Sequence, residues 1–300
     1  MAKGRPRQGS PPPSSSPSET SSESGSSSSG SDVNDSENDV SSSSGASEEE
    51  ETVNVDFEFF DPSPEDFDGV KALLKSYLED EAWDPSELVN ICLAQTTVGT
   101  VLKTSEDENP IGVLTVLNLA RYKDQRSMHD IHRYLLENCC VKSVRERLEA
   151  IWNQHAEHVG LLISERLANV PFDLVPPLYS GLLDEIMWAT EDEPTEELQK
   201  YFRLLKEYLI VTRVFLDRPT RSLPDNEHAK GAYNKEEGEL IFVKPEDEVF
   251  HRLCTWSFSF PVKAEAEAAH ETETLKQLRL VMGVQAKHMD AFKTAISKML

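Results

Sequence analysis

Two histidine pairs carry the spacing in this chain closest to a metal site. His129-x-x-His132 and His155-x-x-His158 would each place two imidazoles on one face of a helix, with Cys139 and Cys140 between them. A di-iron centre of helical type also needs a carboxylate three residues before a histidine, and none of these histidines has one. The four are therefore read as surface residues, with His132 on a charged face beside Arg133, and no metal is expected. Nucleophile chemistry fares no better. Ser164 follows Gly160 by four residues, but Glu165-Arg166 comes next where a nucleophile elbow wants G-x-S-x-G. Phosphate loops and dinucleotide fingerprints need closely spaced glycines, and no G-x-G occurs. No catalytic residue and no cofactor is assigned.

Charge indicates what the chain does bind. It has 54 acidic and 30 basic residues, a net charge of −24. Phosphate backbones are bound by Lys and Arg, so direct nucleic-acid binding is not expected; basic proteins suit this surface. KGRPR at Lys3–Arg7 has the Gly-Arg-Pro core of a minor-groove hook, but a single copy reads better as chance or as a nuclear-import element. Cys92, Cys139, Cys140 and Cys254 lack C-x-x-C spacing, so reduced thiols inside the cell are expected. No run of about eighteen apolar residues suggests a membrane span.

Residues 1–51 include nineteen serines and close on Glu48–Glu51. So little apolar surface cannot offset the entropy of ordering, and a disordered acidic tail is predicted. Ser16, Ser29, Ser36 and Ser47 each have an acidic residue three positions on, the spacing of an acid-directed kinase.

Residues 52–300 read as one domain. Val53, Val55, Phe57 and Phe59 alternate with polar residues as in a half-buried strand. Ser63-Pro64 and Asp84-Pro85 start helices, and Thr97–Lys103 and Ile111–Leu119 are strands, the second apolar on both faces and so central. Helices are predicted from Ser127 and from a Ser143/Glu146 capping box. At Val159–Trp188, an apolar strand ends as Ser164, Glu165 and Arg166 take the chain out to polar surroundings. Asn169-Val170-Pro171 turns, and Asp173 caps a helix with Pro176-Pro177 in its first turn and Val175, Leu178, Leu182 and Ile186 on its apolar face. Strands follow in the second half of Tyr201–Leu216, at Glu239–Val243, at Cys254–Phe260 and at Leu278–Val284. A helix from Pro245 to about Arg252 lies among them, and a last one carries Met289, Phe292, Ile296 and Met299 on one face. Residues 217–238 and 262–274 read as mobile loops. About eight strands, some joined too briefly for parallel crossovers, imply a mixed α/β domain with a largely antiparallel sheet flanked by helices.

Three stretches resemble the BCCIP/Bcp family of eukaryotic nuclear proteins: EEEETVNVDFEFFDPSPEDFDGVKALLKSYL, VGLLISERLANVPFDLVPPLY, and WSFSF followed by LRLVMGV. The segment Ile163, Ser164, Glu165, Arg166, Leu167, Asn169, Val170 and Pro171 is the most distinctive. The resemblance implies an acetyltransferase-like (GNAT-like) fold without its cofactor turn, since no glycine from Gly69 to Gly283 has Arg or Gln three residues before it. Glu165, Arg166 and Asn169 stand where such a turn would want glycine, so the corner is expected to be structural or protein-binding. The resemblance further implies a nuclear chaperone that escorts basic clients such as a large-subunit ribosomal protein. An alternative it implies is an adaptor in cell-cycle control and homologous recombination, binding a kinase inhibitor and a recombination mediator; a degenerate acetyltransferase is a third.

Overall fold

A computed structural model describes residues 56–78, 83–217, 238–262 and 275–300, all within a compact unit that runs from Val53 to Leu300. The expectations for residues 1–51 and for loops 218–237 and 263–274 lie outside the described residues, as does the start of the first strand.

Among the described residues eight strands form one sheet: β1 (Glu58–Phe60), β2 (Gly99–Lys103), β3 (Gly112–Asn118), β4 (Val159–Arg166), β5 (Glu207–Asp217), β6 (Glu239–Phe242), β7 (Trp256–Pro261) and β8 (Leu275–Gln285). Their order is β1-β2-β3-β4-β5-β8-β7, with β6 also on β5, and all neighbours are antiparallel except β4 and β5. The mixed, mostly antiparallel sheet is as the sequence predicts. β3 is buried at every residue, as its two-faced apolar run requires.

Helices cover both faces. On one lie α1 (Phe67–Leu74), α2 (Ser86–Ala94), α3 (Arg126–Asn138) and α4 (Lys142–Gln154), which bury Val70, Leu74, Leu88, Ile131 and Leu148 against Val113, Leu161, Ile163 and Val211. On the other, α5 (Val175–Asp192), α6 (Glu196–Arg203), α7 (Pro245–Leu253) and α8 (Met289–Ser297) bury Leu182, Phe202, Phe250 and Phe292 against Leu114, Leu162, Ile210 and Met282. The alternation along β4, Leu161 and Ile163 to one core and Leu162 to the other, is the period of two that a strand imposes. Each such side chain contributes about 1.5–3 kcal/mol by leaving water.

Helix starts follow local chemistry at some places and not at others. Ser63 and Asp66 form a reciprocal cap before α1, and the buried Asp66 carboxylate also meets Lys103 Nζ at 2.5 Å, tying that turn to β2. The capping box expected at Ser143 is absent: α4 starts at Lys142, so Ser143 lies inside its first turn and makes no cap. Asp173 does not cap α5 either. Phe172–Leu174 forms a 3-10 turn, and α5 begins at Val175 with Pro176 and Pro177 in its first turn. Met299 falls beyond the end of α8 and is exposed, not part of that helix's buried face.

Candidate functional site

β4 and β5 pair in parallel only from Val159 with Glu207 to Leu162 with Ile210. Past that point β4 stays with β3 as far as Arg166, while β5 continues along β8. The edge of β5 that β4 has left is taken by β6 from Val214 onwards. The sheet therefore splits after four parallel pairs. Open α/β sheets place ligands in such a crevice, at the carboxyl ends of diverging parallel strands.

The chain itself fills this crevice. The segment from Lys244 into the first turn of α7 enters the split, and Lys244, Glu246 and Asp247 are all buried. Lys244 Nζ donates to the Ser164 carbonyl and lies 3.5 Å from Glu165 Oε1 and 3.7 Å from Asp247 Oδ2. Arg166 donates to both oxygens of the fully buried Glu246, one of them at 2.9 Å. From β5, Thr212 Oγ1 donates to Asp247 Oδ2. Tyr179 of α5 lies close to both acids: its phenol is pushed well above the ordinary range by burial first, then by Glu246 and Asp247.

The cluster holds two cations, Arg166 and Lys244, against three carboxylates, Glu165, Glu246 and Asp247. Burial works against the charge of each cation, yet their carboxylate partners outweigh it and hold both above their ordinary pKa values. The odd carboxylate is Asp247. Burial raises it first, Lys244 opposes, and Glu246 adds to the rise, leaving it at about 6. The arrangement closes the split with paired charge. Its carboxylates are engaged by Arg166, Lys244 and Thr212.

A cavity of about 700 Å³ lies at the other end of the parallel pair, lined by α4 residues Glu146, Arg147, Ala150 and Ile151, by His155 and His158, and by Val159, Lys206 and Glu207. Its lining has neither hydroxyl nor thiol. Arg147 Nη2 grips both Glu207 oxygens at 3.0 and 3.1 Å, and Trp256 Nε1 donates to the same carboxylate at 2.7 Å. His155 is exposed, whereas a ring nitrogen of His158 meets the Leu204 carbonyl at 3.0 Å. In the other pair His129 is exposed, but His132 is half-buried and stacks on Trp152 with centroids 4.6 Å apart. It is not on a charged surface face as the sequence suggested. Burial, then the neighbouring His129, lowers its pKa.

Comparison with known proteins places this fold. The sequence profile of the BCCIP family matches residues 52–250. The chain belongs to the BCCIP family. It is 42% identical to Protein BCCIP homolog of Arabidopsis thaliana, over 88% of this chain and 80% of that protein. It is 35% identical to Protein BCP1 of Gibberella zeae, over 81% of this chain and 82% of the relative. It is 28% identical to a Bos taurus protein named BRCA2 and CDKN1A-interacting protein, over 80% and 81%. The crystal structure of BCP1 from Saccharomyces cerevisiae superimposes with a TM-score of 0.55 over 84% of this chain and 92% of that one, at 22% identity, a likeness of fold. The acetyltransferase likeness rests on the sequence resemblance alone.

In this BCCIP-family chain the distinctive stretch divides into two parts. Ile163 is core, and Ser164, Glu165 and Arg166 form the β4 side of the filled crevice. Their surroundings are polar, as expected, but Glu165 and Arg166 do not form the turn: β4 runs through Arg166 with each half-buried. The turn is Leu167 to Pro171: Leu167 N donates to Ile111 O and Val170 N to Leu167 O, while Leu167, Asn169 and Pro171 are exposed. The crevice residues that sequence reasoning misses are Thr212, Lys244, Glu246 and Asp247. Glu246 and Asp247 read as ordinary first-turn acids complementing a helix dipole. The available signal was charge in Glu165-Arg166 at the end of an otherwise apolar central strand.

Proposed function

We propose that this chain is a non-catalytic protein-binding protein of the nucleus that shields or escorts basic clients, a large-subunit ribosomal protein among them, during ribosome assembly and export. The observation that carries this reading is the filled crevice: where the sheet splits, the space a cofactor would take holds Lys244, Glu246 and Asp247. Charge supplies the chemistry of the partner. A chain with 54 acidic against 30 basic residues attracts a basic surface and covers it. Phosphorylation of Ser16, Ser29, Ser36 or Ser47 would add to that charge.

The test is titration of a purified large-subunit ribosomal protein into the full chain and into a chain lacking residues 1–51, at low and high salt. Association that weakens with salt and falls further on deletion is expected. Absence of salt-sensitive binding by both chains overturns the reading. Binding by both chains alike assigns it to the folded part. An acetyl-CoA titration runs beside it, and saturable micromolar binding would restore an enzyme reading.

A second reading is favoured by the name of the Bos taurus relative, BRCA2 and CDKN1A-interacting protein. On it this chain is an adaptor for a recombination mediator and a kinase inhibitor. Direct binding of purified CDKN1A or a BRCA2 fragment, unaffected by an excess of ribosomal protein, would favour it over the first.

A further inference from the structure

Three of the four tryptophans have structural partners. Trp83 Nε1 donates to the Leu74 carbonyl, Trp152 stacks on His132, and Trp256 Nε1 donates to Glu207. Trp188 has none among the described residues and is 57% exposed; its neighbour Met187 is 59% exposed. Leaving these two large apolar side chains in water forgoes the burial that stabilises the rest of α5, and exposed Met and Trp are side chains that protein interfaces favour.

Helix geometry says what surrounds them. Asp184, Met187, Trp188 and Glu191 stand at i, i+3, i+4 and i+7, one stripe of α5 with a carboxylate at each end. The last turn of α5 carries Glu191 and Asp192 and no basic residue, against the preference of a helix C-terminus for cations. Two α6 side chains reach carbonyls there, Arg203 Nε at Thr190 O and Gln199 Nε2 at Glu191 O, so the backbone is served while the carboxylates are not. Among the described residues no ion pair uses Asp184, Glu191 or Asp192. The flank toward β2 is acidic too. Glu185 accepts from Gly99 N at 2.9 Å and Thr100 Oγ1 at 3.3 Å, which fixes α5 to the sheet. Burial raises the Glu185 pKa first, and the nearby Asp61 and Asp184 carboxylates raise it further.

We propose that this α5 face is a docking surface for an arginine-rich protein segment, whose guanidinium groups stack on Trp188 and pair with Asp184 and Glu191. Arginine suits it better than lysine, because a planar guanidinium stacks on indole and binds a carboxylate through two parallel hydrogen bonds. The inference rests on the reading of the chain as a binder of basic clients and names the place of contact.

The test uses the full chain and a synthetic arginine-rich peptide, with its lysine-rich counterpart for contrast. Titration of the wild type should change tryptophan emission, and Trp188→Phe should abolish most of that change. Trp188→Ala should weaken arginine-peptide binding roughly 30-fold, as loss of an aromatic hot spot does, with thermal unfolding unaltered. Asp184→Lys/Glu191→Lys, which keeps the indole, should weaken it too. Equal binding by wild type and both variants overturns this docking face and leaves the basic-client reading standing. No binding by the wild type of either peptide or of the ribosomal protein defeats both. A homodimer in sedimentation that Trp188→Ala dissociates overturns the proposal by making a second copy the occupant.

Discussion

Asp247 offers a quantitative test of the filled crevice. Its carboxyl starts from an ordinary value of 3.8 and stands at about 6 in the fold, through burial against the opposing pull of Lys244. The folded state then holds its proton more tightly than the unfolded chain, so between these two values the native protein binds the larger number of protons. Stability must therefore fall as pH rises through that window, the reverse of a salt-bridged carboxylate with a depressed pKa. Two pKa units correspond to about 3 kcal/mol, present below pH 4 and lost above pH 6. Asp247→Asn keeps the shape and a hydrogen-bond acceptor for Thr212 and removes the titration. Relative to wild type, this variant should gain about 3 kcal/mol between pH 4 and 7, which for a domain of this size is a Tm difference of roughly 6–12 °C. Urea unfolding at half-unit pH steps measures it. Parallel pH profiles for wild type and Asp247→Asn would show that the carboxyl titrates alike in the folded and unfolded chain, and the account of the cluster's odd charge would fail.

Three other substitutions probe the same region and its supports. Arg166→Met strands the buried Glu246 and should cost about 3–5 kcal/mol in urea unfolding, whereas Arg166→Met/Glu246→Leu should recover most of that loss. Equal losses would mean the pair is not the issue. Gly160→Ala puts a Cβ 2.5 Å from Val116 Cγ1 at the start of β4 and should cost about 1–3 kcal/mol, read as a lower Tm and relieved by Val116→Ala in the same chain. Thr195→Ala removes the hydroxyl that accepts from Leu198 N at the start of α6, a loss of about 1 kcal/mol visible in thermal unfolding.

Much of the scaffold was legible because periodicity reports burial directly. The two-faced run at β3, the Phe258 and Phe260 alternation of β7, and the Val175, Leu178, Leu182 and Ile186 stripe of α5 all lie where their spacing puts them. Local competition defeated the finer readings. At Asp173 a 3-10 turn takes up the residues a cap would need, and at Ser143 the helix begins two residues earlier than that cap would set. The crevice was illegible for a different reason. Arg166 and Glu246 are 80 residues apart, as are Ser164 and Lys244, and no local pattern shows that a charged pair meets at a split in a sheet. Charge at the end of a strand ordinarily marks its exit to water, and here it marks an internal junction.

The late arrival of that junction has a consequence for biosynthesis. β4 is complete at Arg166, but its edge beyond Leu162 is covered only once Lys244 and α7, which ends at Leu253, have been made. At 5–20 residues per second, that interval lasts about 4–17 s on the ribosome. During it the nascent half-sheet presents an open strand edge ending in Glu165 and Arg166, and unpaired edges invite pairing with other chains. Charge at an open strand edge discourages such pairing, so Glu165 and Arg166 are placed to do so before they take on their role in the finished fold. On this account, replacing both sides of the junction with apolar residues, however stable the product, should lower the yield of soluble protein during synthesis.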